Sequence, residues 1–479
     1  MTPSHDLFRT SAREAVTLLR RGEVSPTELV EAAAARIAET DAALNAVPTL
    51  CLERAREHAR QIEKMSDERA GDPHWLGGLP IVVKDLNDVA GVRTTYGSPL
   101  FADHVPDASD VMVETLERNG AIVVGKANTP EFGHGANTFN PVFGETRNPW
   151  NTALTCGGSS GGSAVAVASG QAWLATGSDL GCSLRTPAAF CSVVGLRPSP
   201  GRVARSRTRL PFDNLWVQGP MARSVGDVAL MLDAMTGAHP LDPISFDAPA
   251  VAFVDAVDRP AVPRRIAYSP DLGGITPVDG EVAAICAAAA ERFGELGAVV
   301  EQACPDFSDA RDIFRALRAN QFVGDLGEIV LANRDRVRPE VVENLERGMA
   351  LSAGDMATAE RARGRLHERV ARFFETYDLL ITPATIVAPF DVSIRAIDRL
   401  GEHRFETYYD WYTIAYAITL TALPALALPC GFTADGRPVG LQIVGCPRGE
   451  AALLSAAAMG EKLFSIVADL PVNPTEKRA

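Results

Sequence analysis

The chain of 479 residues is long enough for two or three average domains or for one large α/β domain. Hydrophobic residues make up 46% of it and charged residues 22%, a globular composition that excludes whole-chain disorder, collagen and coiled coil. Acidic side chains outnumber basic ones, 60 to 46, and the net charge of −14 argues against a surface for nucleic acid or anionic membranes.

We expect a cytoplasmic protein with reduced cysteines. The first residues lack the basic and apolar regions of a signal peptide. The eight cysteines are scattered, without a C-x-x-C pair or a Cys/His cluster at zinc-ligand spacing. Two long uncharged stretches, 152–178 and 411–434, are interrupted by glycines and serines or by prolines, so neither predicts a membrane-spanning helix.

The N-terminal region, from about 6 to 66, predicts helices. Ser25 followed by Pro26 indicates a helix start ahead of the apolar-periodic run 29–37. The next region, from about 77 to 230, consists of short apolar runs separated by glycine-rich loops. Its apolar runs at 81–83 and 121–124 predict buried strands, with a helix at 109–119 between them.

The alternation of strand and helix favours a mostly parallel sheet covered by helices on both faces. Residues 278–376 predict a largely helical insertion, whose charged stretch 360–372 is typical of a solvated helix face. Strands are then predicted at 379–383, 425–429 and 439–444, with a closing helix at 449–464. We therefore predict one domain over 1–479, made of N-terminal helices (1–70), a core (77–230), the helical insertion (278–376) and C-terminal strands with a helix (377–479).

Two familiar motifs are present only in part. Residues 120–127 (GAIVVGKA) resemble the start of a phosphate loop, but Ala127 stands where a Ser or Thr would hold magnesium, and the intervening residues favour a strand. Residues 157–161 fit G-x-S-x-G, but no histidine follows His403 to complete a hydrolase triad. No group of residues has metal-ligand or dinucleotide-binding spacing, so we expect neither a metal nor a cofactor.

Three segments are difficult to explain by packing alone. Residues 78–85 (GLPIVVKD) place Lys84 at the end of an apolar strand. Residues 157–164 (GGSSGGSA) form a Gly/Ser loop that leads into a helix, and 177–188 (GSDLGCSLRTPA) form a second polar turn. A Gly/Ser loop alone is weak evidence, because flexible loops share that composition.

Together these segments resemble the amidase signature family, in its free-standing bacterial form. That family uses a lysine, a serine in a Gly/Ser loop and a nucleophilic serine some two dozen residues later. Here Ser159 and Ser183 are 24 residues apart, with Lys84 upstream. Further matching segments are 185–191 (RTPAAFC), 195–198 (GLRP), 219–223 (GPMAR) and 436–442 (GRPVGLQ).

The resemblance implies a three-layer α/β/α sandwich around a mixed, mostly parallel sheet, with a peripheral helical insertion. It also implies roles for three side chains: Ser183 as nucleophile, Ser159 as bridging acid and base, and Lys84 as the ultimate base. A lysine with the reference pKa of about 10.4 is neutral in only about one molecule in 2,500 at pH 7. Burial can lower that pKa by about 3 units, and alternation along the strand should direct Asp85 to the opposite face.

The same resemblance implies a cis peptide between Gly158 and Ser159, and an oxyanion hole formed by backbone N–H groups of Leu180, Gly181, Cys182 and Ser183. Cys182 departs from the family, which usually has glycine there. Its backbone N–H is retained, while its side chain narrows or redirects the acyl pocket. Asp179 and Arg185 flank the turn, and we interpret them as an ion pair or hydrogen-bonded scaffold.

The predicted reaction is hydrolysis of a carboxylic amide through an acyl-enzyme on Ser183. Short-chain amides, aryl amides, indoleacetamide-like amides and carbamates all remain open as substrates. Aromatic residues in 132–139, 212–216 and 408–412 suggest an acyl pocket, although core packing explains them equally well. The candidate substrate-binding residues are Phe132, Phe139, Trp216 and Tyr412.

The alternative is the amidase-like subunit of a tRNA-dependent amidotransferase, which liberates ammonia from glutamine only in complex with partner chains. Residues 338–375 do not resemble the glutamine-site region of that subunit, so we favour a free-standing amidase acting on a small molecule. We expect no nucleic-acid or membrane partner. A homodimer remains open, because dimers are common among relatives.

Overall fold

The computed structural model describes residues 4–64, 69, 71–205 and 209–476. Seventeen strands are found in this part of the chain, and most of them are short. They are β1 Thr49–Leu50, β2 Leu79–Lys84, β3 Ala121–Ala127, β4 Phe139–Asn140, β5 Gly144–Glu145, β6 Arg147–Asn148, β7 Asn151–Thr155, β8 Leu174–Asp179, β9 Val194–Arg197, β10 Val217–Ala222, β11 Arg265–Tyr268, β12 Val299–Gln302, β13 Leu379–Pro383, β14 Arg399–Leu400, β15 His403–Arg404, β16 Ala425–Phe432 and β17 Pro438–Val444.

Fourteen α-helices are found in the same residues. They are α1 Ala12–Arg20, α2 Pro26–Leu44, α3 Leu52–Glu63, α4 Val111–Arg118, α5 Gly161–Ala168, α6 Arg185–Cys191, α7 Val225–Met235, α8 Phe253–Asp258, α9 Gly280–Glu291, α10 Ala310–Ala332, α11 Pro339–Met349, α12 Ala353–Phe373, α13 Thr413–Leu420 and α14 Glu450–Phe464. Within the described residues, none is both long enough and apolar enough to cross a bilayer.

Eleven strands form one central sheet in the order β1-β3-β2-β8-β10-β9-β16-β17-β13-β11-β12. Parallel ladders join β3, β2 and β8 in one half and β13, β11 and β12 in the other. The ladders between β8 and β13 are antiparallel, as is the one from β1 to β3. The expected mixed sheet is therefore confirmed. Parallel pairs do not predominate in it, contrary to the prediction of a mostly parallel sheet. One reason is the short connection between β16 and β17, which requires antiparallel pairing.

Helices cover both faces of the sheet, as the α/β/α sandwich requires. Along β2, Leu79, Ile81 and Val83 belong to one hydrophobic cluster, which includes side chains of α4, α7 and α14. Val82 belongs to a second cluster, with side chains of α2, α3 and α5. Because alternate residues of a strand share a face, Lys84 points to the same side as Val82, toward α5.

The range predicted as a helical insertion, 278–376, is only partly peripheral, because it contains β12, an edge strand of the central sheet. Its later helices, α10, α11 and α12, pack over the second half of the sheet. Phe314 of α10 stacks on Tyr416 of α13, with ring centroids 3.9 Å apart. Leu366 of α12 joins the same cluster. This arrangement places α10 above the carboxyl ends of β2 and β8, where the site described below lies.

Several element boundaries match the sequence predictions closely. The strand at Leu379–Pro383 and the helix at Glu450–Phe464 are found as expected. Ser25 caps α2 through a capping box with Glu28. Residues 120–127 form β3 rather than a phosphate loop. The end of the predicted N-terminal helical region, residues 65–68, lies outside the described residues.

Candidate active site

Lys84 is the last residue of β2, and its side chain is completely buried. Its Nζ lies 2.7 Å from Ser159 Oγ, 2.9 Å from Ser160 Oγ and 3.0 Å from Ser178 Oγ. Burial lowers the pKa of Lys84 to about 7, although the negative charge of Asp179 opposes this change. Near neutral pH, a large fraction of the molecules therefore has a neutral amine that can accept a proton.

Asp85 turns away from this cluster, as strand alternation predicts. Its Oδ1 lies 3.3 Å from the Nζ of Lys126, and its Oδ2 accepts a hydrogen bond from the backbone N–H of Thr95 at 3.1 Å. The carboxylate thus pairs with a different buried lysine, and in the described part of the chain the Lys84 amine has hydrogen bonds to serine hydroxyls alone.

The Gly/Ser loop lies between β7 and α5 and supplies Ser159. The peptide between Gly158 and Ser159 is cis. The loop passes so close to its neighbours that a Cβ at Gly158 would lie 2.8 Å from the carbonyl carbon of Asn137. Glycine is needed here for this close approach, and the tight turn brings the hydroxyls of Ser159 and Ser160 onto Lys84.

A buried ion-pair network holds the second polar turn. Asp179 Oδ1 lies 2.7 Å from Arg185 Nη2 and 3.3 Å from Arg197 Nη1, and its Oδ2 accepts a hydrogen bond from the backbone N–H of Leu184 at 2.9 Å. Burial alone would raise the pKa of Asp179, but the charges of Arg185 and Arg197 outweigh it and lower the pKa to about 2. The ion pair expected between Asp179 and Arg185 is therefore present, with Arg197 as a third member that the sequence analysis missed.

Ser183 lies in this turn and lines the same cavity as Ser159. Ser183 is buried, with 8% of its surface exposed. The backbone N–H of Ser160 donates to the carbonyl oxygen of Ser183 at 3.1 Å, which ties the two serine-bearing loops together.

The backbone of the turn is open to the cavity. Leu180, Gly181 and Cys182 all line it. Among the described residues, the N–H groups of 180–183 donate no hydrogen bond to a protein acceptor. Buried N–H groups seldom lack an acceptor, so these groups are available to a negatively charged oxygen in the cavity.

Cys182 fits the turn without a left-handed backbone conformation, because its φ is not positive. Its Sγ lies 3.9 Å from the carbonyl oxygen of Gly158. Burial raises the pKa of this thiol to about 12, so the thiolate is scarce at neutral pH. The side chain fills space beside the Gly/Ser loop.

The cavity has a volume of about 410 Å³. Three of the four predicted substrate-binding residues, Phe132, Trp216 and Tyr412, line it. Phe139 lies elsewhere, because its ring packs against the guanidinium groups of Arg338 and Arg395, whose Cζ atoms are 4.9 Å and 3.9 Å from its centroid.

Two site residues were not predicted from the sequence: Ser160, which contacts Lys84, and Ser178, which also lines the cavity. Both stand inside the motifs that were singled out, so their hydroxyl groups were a usable signal. The lining side chains of α10 could not be predicted, because the sequence does not show which face of this helix meets the cavity. The α10 side chains that line the cavity are Arg318, Gln321, Phe322, Asp325, Leu326 and Ile329.

Comparison with protein families gives a match to the amidase family over residues 28–454. The acylamidase of Rhodococcus erythropolis is 34% identical over 458 residues, which cover 95% of each chain. A glutamyl-tRNA(Gln) amidotransferase subunit from Moorella thermoacetica is 36% identical over 478 residues, covering 94% of this chain and 96% of its own.

Solved structures show the same similarity. A bacterial aryl acylamidase of the amidase signature family superposes with a TM-score of 0.87 at 26% identity, covering 96% of this chain and 98% of the other. A 6-aminohexanoate cyclic dimer hydrolase also gives a TM-score of 0.87, at 27% identity, and covers 98% of this chain and 99% of its own.

Proposed function

The chain belongs to the amidase family and is an amide-bond hydrolase, and from this premise we propose that it cleaves small aryl or alkyl amides through an acyl-enzyme on Ser183. The observation that supports the mechanism most directly is the buried Lys84. Its amine, with a pKa near 7, lies 2.7 Å from Ser159 Oγ, at the edge of the cavity that Ser183 also lines.

In the proposed acylation step, neutral Lys84 accepts the proton of Ser159 as Ser159 accepts the proton of Ser183. The Ser183 oxygen attacks the amide carbon, and the carbonyl oxygen becomes an oxyanion. Ser159 then donates a proton to the departing amine and recovers one from Lys84. This relay is needed because a serine hydroxyl is a poor nucleophile until a neighbouring base takes its proton.

In the deacylation step, water attacks the ester on Ser183 and gives its proton to the same relay. The collapse of the second tetrahedral intermediate releases the carboxylic acid and returns the proton to Ser183. The proposed mechanism uses these three side chains and water. Carbamates and activated esters are open to the same acyl transfer.

We propose that the N–H groups of the turn at 180–183 stabilise the oxyanion. These groups line the cavity and, within the described residues, have no protein acceptor. One such donor contributes about 3 kcal/mol to transition-state stabilisation in serine hydrolases. Cys182 stands where the family usually has glycine. Because cysteine also has a backbone N–H, this difference does not remove a hydrogen-bond donor from the turn.

The aromatic lining supports an aryl or alkyl group on the substrate. Phe101, Phe132, Trp216 and Tyr412 contribute rings to the cavity wall.

A second candidate function is the release of ammonia from glutamine in complex with partner chains. It rests on the 36% identity to the amidotransferase chain of Moorella thermoacetica. A free-standing amidase remains the function that we favour.

Hydrolysis assays with the purified chain test this proposal. The panel consists of short-chain amides, an acyl anilide, indole-3-acetamide, an aryl carbamate and glutamine. We expect turnover of at least one amide other than glutamine, reduced by a factor on the order of 10⁴ or more in Ser183→Ala and Lys84→Ala. Cys182→Ala is the matched control and should retain activity, because it keeps the backbone N–H.

Two results would count against the proposal. Activity that survives Ser183→Ala would exclude the acyl-enzyme assigned here. Activity on glutamine alone, and only with partner chains, would favour the amidotransferase function instead.

A further inference from the structure

One face of α10 forms a wall of the cavity beside the proposed catalytic serines. The side chains on this face recur at intervals of three and four residues, so they lie along a single stripe of the helix. Three of them, Arg318, Gln321 and Asp325, are polar. These three differ in how they are bound to the rest of the protein.

Arg318 is held by protein partners. Its Nη1 donates to Asn344 Oδ1 at 2.6 Å, and its Nη2 donates to Tyr408 Oη at 2.6 Å. The same Nη2 lies 3.1 Å from His134 Nδ1. Arg318 therefore joins the walls of the cavity, with both of its Nη atoms bound to protein groups.

Gln321 and Asp325 lack such partners. Among the described residues, neither the Gln321 amide nor the Asp325 carboxylate forms a hydrogen bond with a protein group. Gln321 is only 8% exposed, and it lines the cavity. Because buried polar groups in native proteins nearly always have hydrogen-bond partners, the buried Gln321 indicates that a polar ligand binds here. Asp325, one helical turn further along the same face, is partly exposed and offers that ligand a carboxylate.

The charges around Asp325 favour a cationic ligand. Burial raises the pKa of Asp325, Arg209 opposes this increase, and Asp213 adds to it. Arg209 does not neutralise Asp325 alone, because its Nη1 is already 2.9 Å from Glu328 Oε2. Arg209 is thus shared between Asp325 and Glu328.

The opposite wall of the cavity is also acidic, with Asp88 and Asp110 in its lining. Asp88 accepts a hydrogen bond from Tyr96 Oη at 2.6 Å, and Asp110 accepts one from Asn87 Nδ2 at 2.8 Å. A buried cation behind this wall, Lys126, donates to the backbone oxygen of Asn87 at 2.6 Å and pairs with Asp85. Carboxylates therefore face the cavity from two sides. The two arginines that also line it are already bound, Arg209 to Glu328 and Arg318 to Asn344 and Tyr408.

We propose that the amide substrate carries an ammonium group away from its scissile bond, and that Asp325 binds this group together with the amide oxygen of Gln321. The inference rests on the proposed amidase function and adds the class of substrate to it. Charge-assisted hydrogen bonds from an ammonium group to a carboxylate and an amide oxygen would satisfy both unpartnered side chains.

The test compares substrates that differ only in the terminal group. Each pair consists of an ω-ammonium amide and the neutral amide in which a methyl group replaces the ammonium. One pair has the ammonium on the acyl side, and the other has it on the amine side. We expect wild-type kcat/KM to favour one ammonium substrate over its neutral partner by about 10-fold or more.

Variants then locate the preference. Asp325→Asn should lower kcat/KM for the ammonium substrate by about 10-fold, mainly through KM, and leave the neutral substrate within about twofold. Gln321→Leu should have a smaller effect in the same direction. Asp325→Lys should favour an ω-carboxylate amide. Asp312→Asn removes an exposed carboxylate from the same helix and serves as the matched control, which should keep the wild-type preference.

Equal kcat/KM for both members of each pair in the wild type would overturn the inference, and so would a preference that survives Asp325→Asn. Turnover of the neutral substrate by the variants shows that they are folded. If the chain hydrolyses no amide, the proposed function fails, and calorimetry decides the inference separately. An alkylammonium ion should then bind more tightly than the alcohol of equal length, and Asp325→Asn should remove the difference.

Discussion

Lys84 combines two properties that proteins usually keep apart, complete burial and an ionisable amine. Its pKa of about 7 follows from burial at the end of β2 among three serine hydroxyls. In the proposed mechanism only the neutral amine accepts a proton, so the fraction of active enzyme should rise with pH through this value.

The resulting prediction concerns the pH dependence of kcat/KM. We expect a rise of about 10-fold per pH unit below pH 7, followed by a plateau above it, because deprotonation of one group limits the rate. Lys84→Arg, whose side chain remains protonated throughout this range, should show no activity on the plateau. A pH-independent kcat/KM between pH 5 and 9 would show that Lys84 is not the base.

Among structural elements, the turn after β8 is held by a buried charge network. Asp179 ends β8, Arg185 begins α6 and Arg197 ends β9. Arg185 Nη1 also donates to the backbone oxygen of Ala415 in α13 at 2.7 Å, so four elements meet at one buried group. The turn that presents Ser183 is therefore fixed by Asp179 and its two arginines.

Asp179→Ala should reduce the free energy of unfolding by about 3–5 kcal/mol, because it leaves two buried arginines without a counterion. Urea denaturation followed by circular dichroism measures this change. Glu368→Ala removes an exposed ion pair with Arg372, whose side chains are 62% and 72% exposed, and should change stability by less than about 1 kcal/mol. Similar losses in the two variants would contradict the structural role given to Asp179.

The same elements show how far the sequence could be interpreted. Strands with continuous apolar runs, such as Leu379–Pro383, were predictable because burial on both faces leaves a clear pattern. Leu174–Asp179 was not, because its glycine and polar residues have low strand propensity. A Cβ at Gly177 would lie 2.5 Å from Leu184 Cδ2, so tertiary packing rather than local preference selects glycine there.

The catalytic residues proposed from motifs lie together around one cavity, whereas the pocket residues were predictable only in part. Ser159, Ser183 and Lys84 belong to motifs with recognisable spacing. The α10 side chains come from the insertion, and their approach to the cavity depends on how α10 packs against Tyr416 and its neighbours. Such contacts between distant segments leave no local signal in the sequence.

For the whole molecule, the important feature is that the cavity lies between two groups of packed helices. On one side are Lys84 and the Gly/Ser loop, near the cluster that includes α5. On the other side is α10, which belongs to separate clusters with α11, α12 and α13. A ligand that contacts both sides should therefore stabilise α10 against local opening.

An aryl sulfonyl fluoride that reacts with Ser183 tests this expectation. We expect one adduct per chain, located at Ser183 by peptide mapping, and hydrogen exchange in Ala310–Ala332 slowed by about 10-fold. Glu450–Phe464 packs in the cluster on the opposite face of the sheet, so its exchange should not change. An adduct formed equally by Ser183→Ala would show that the reagent does not react at Ser183. Unchanged hydrogen exchange in α10 of the labelled enzyme would show that a ligand in the cavity does not connect α10 to the Gly/Ser loop.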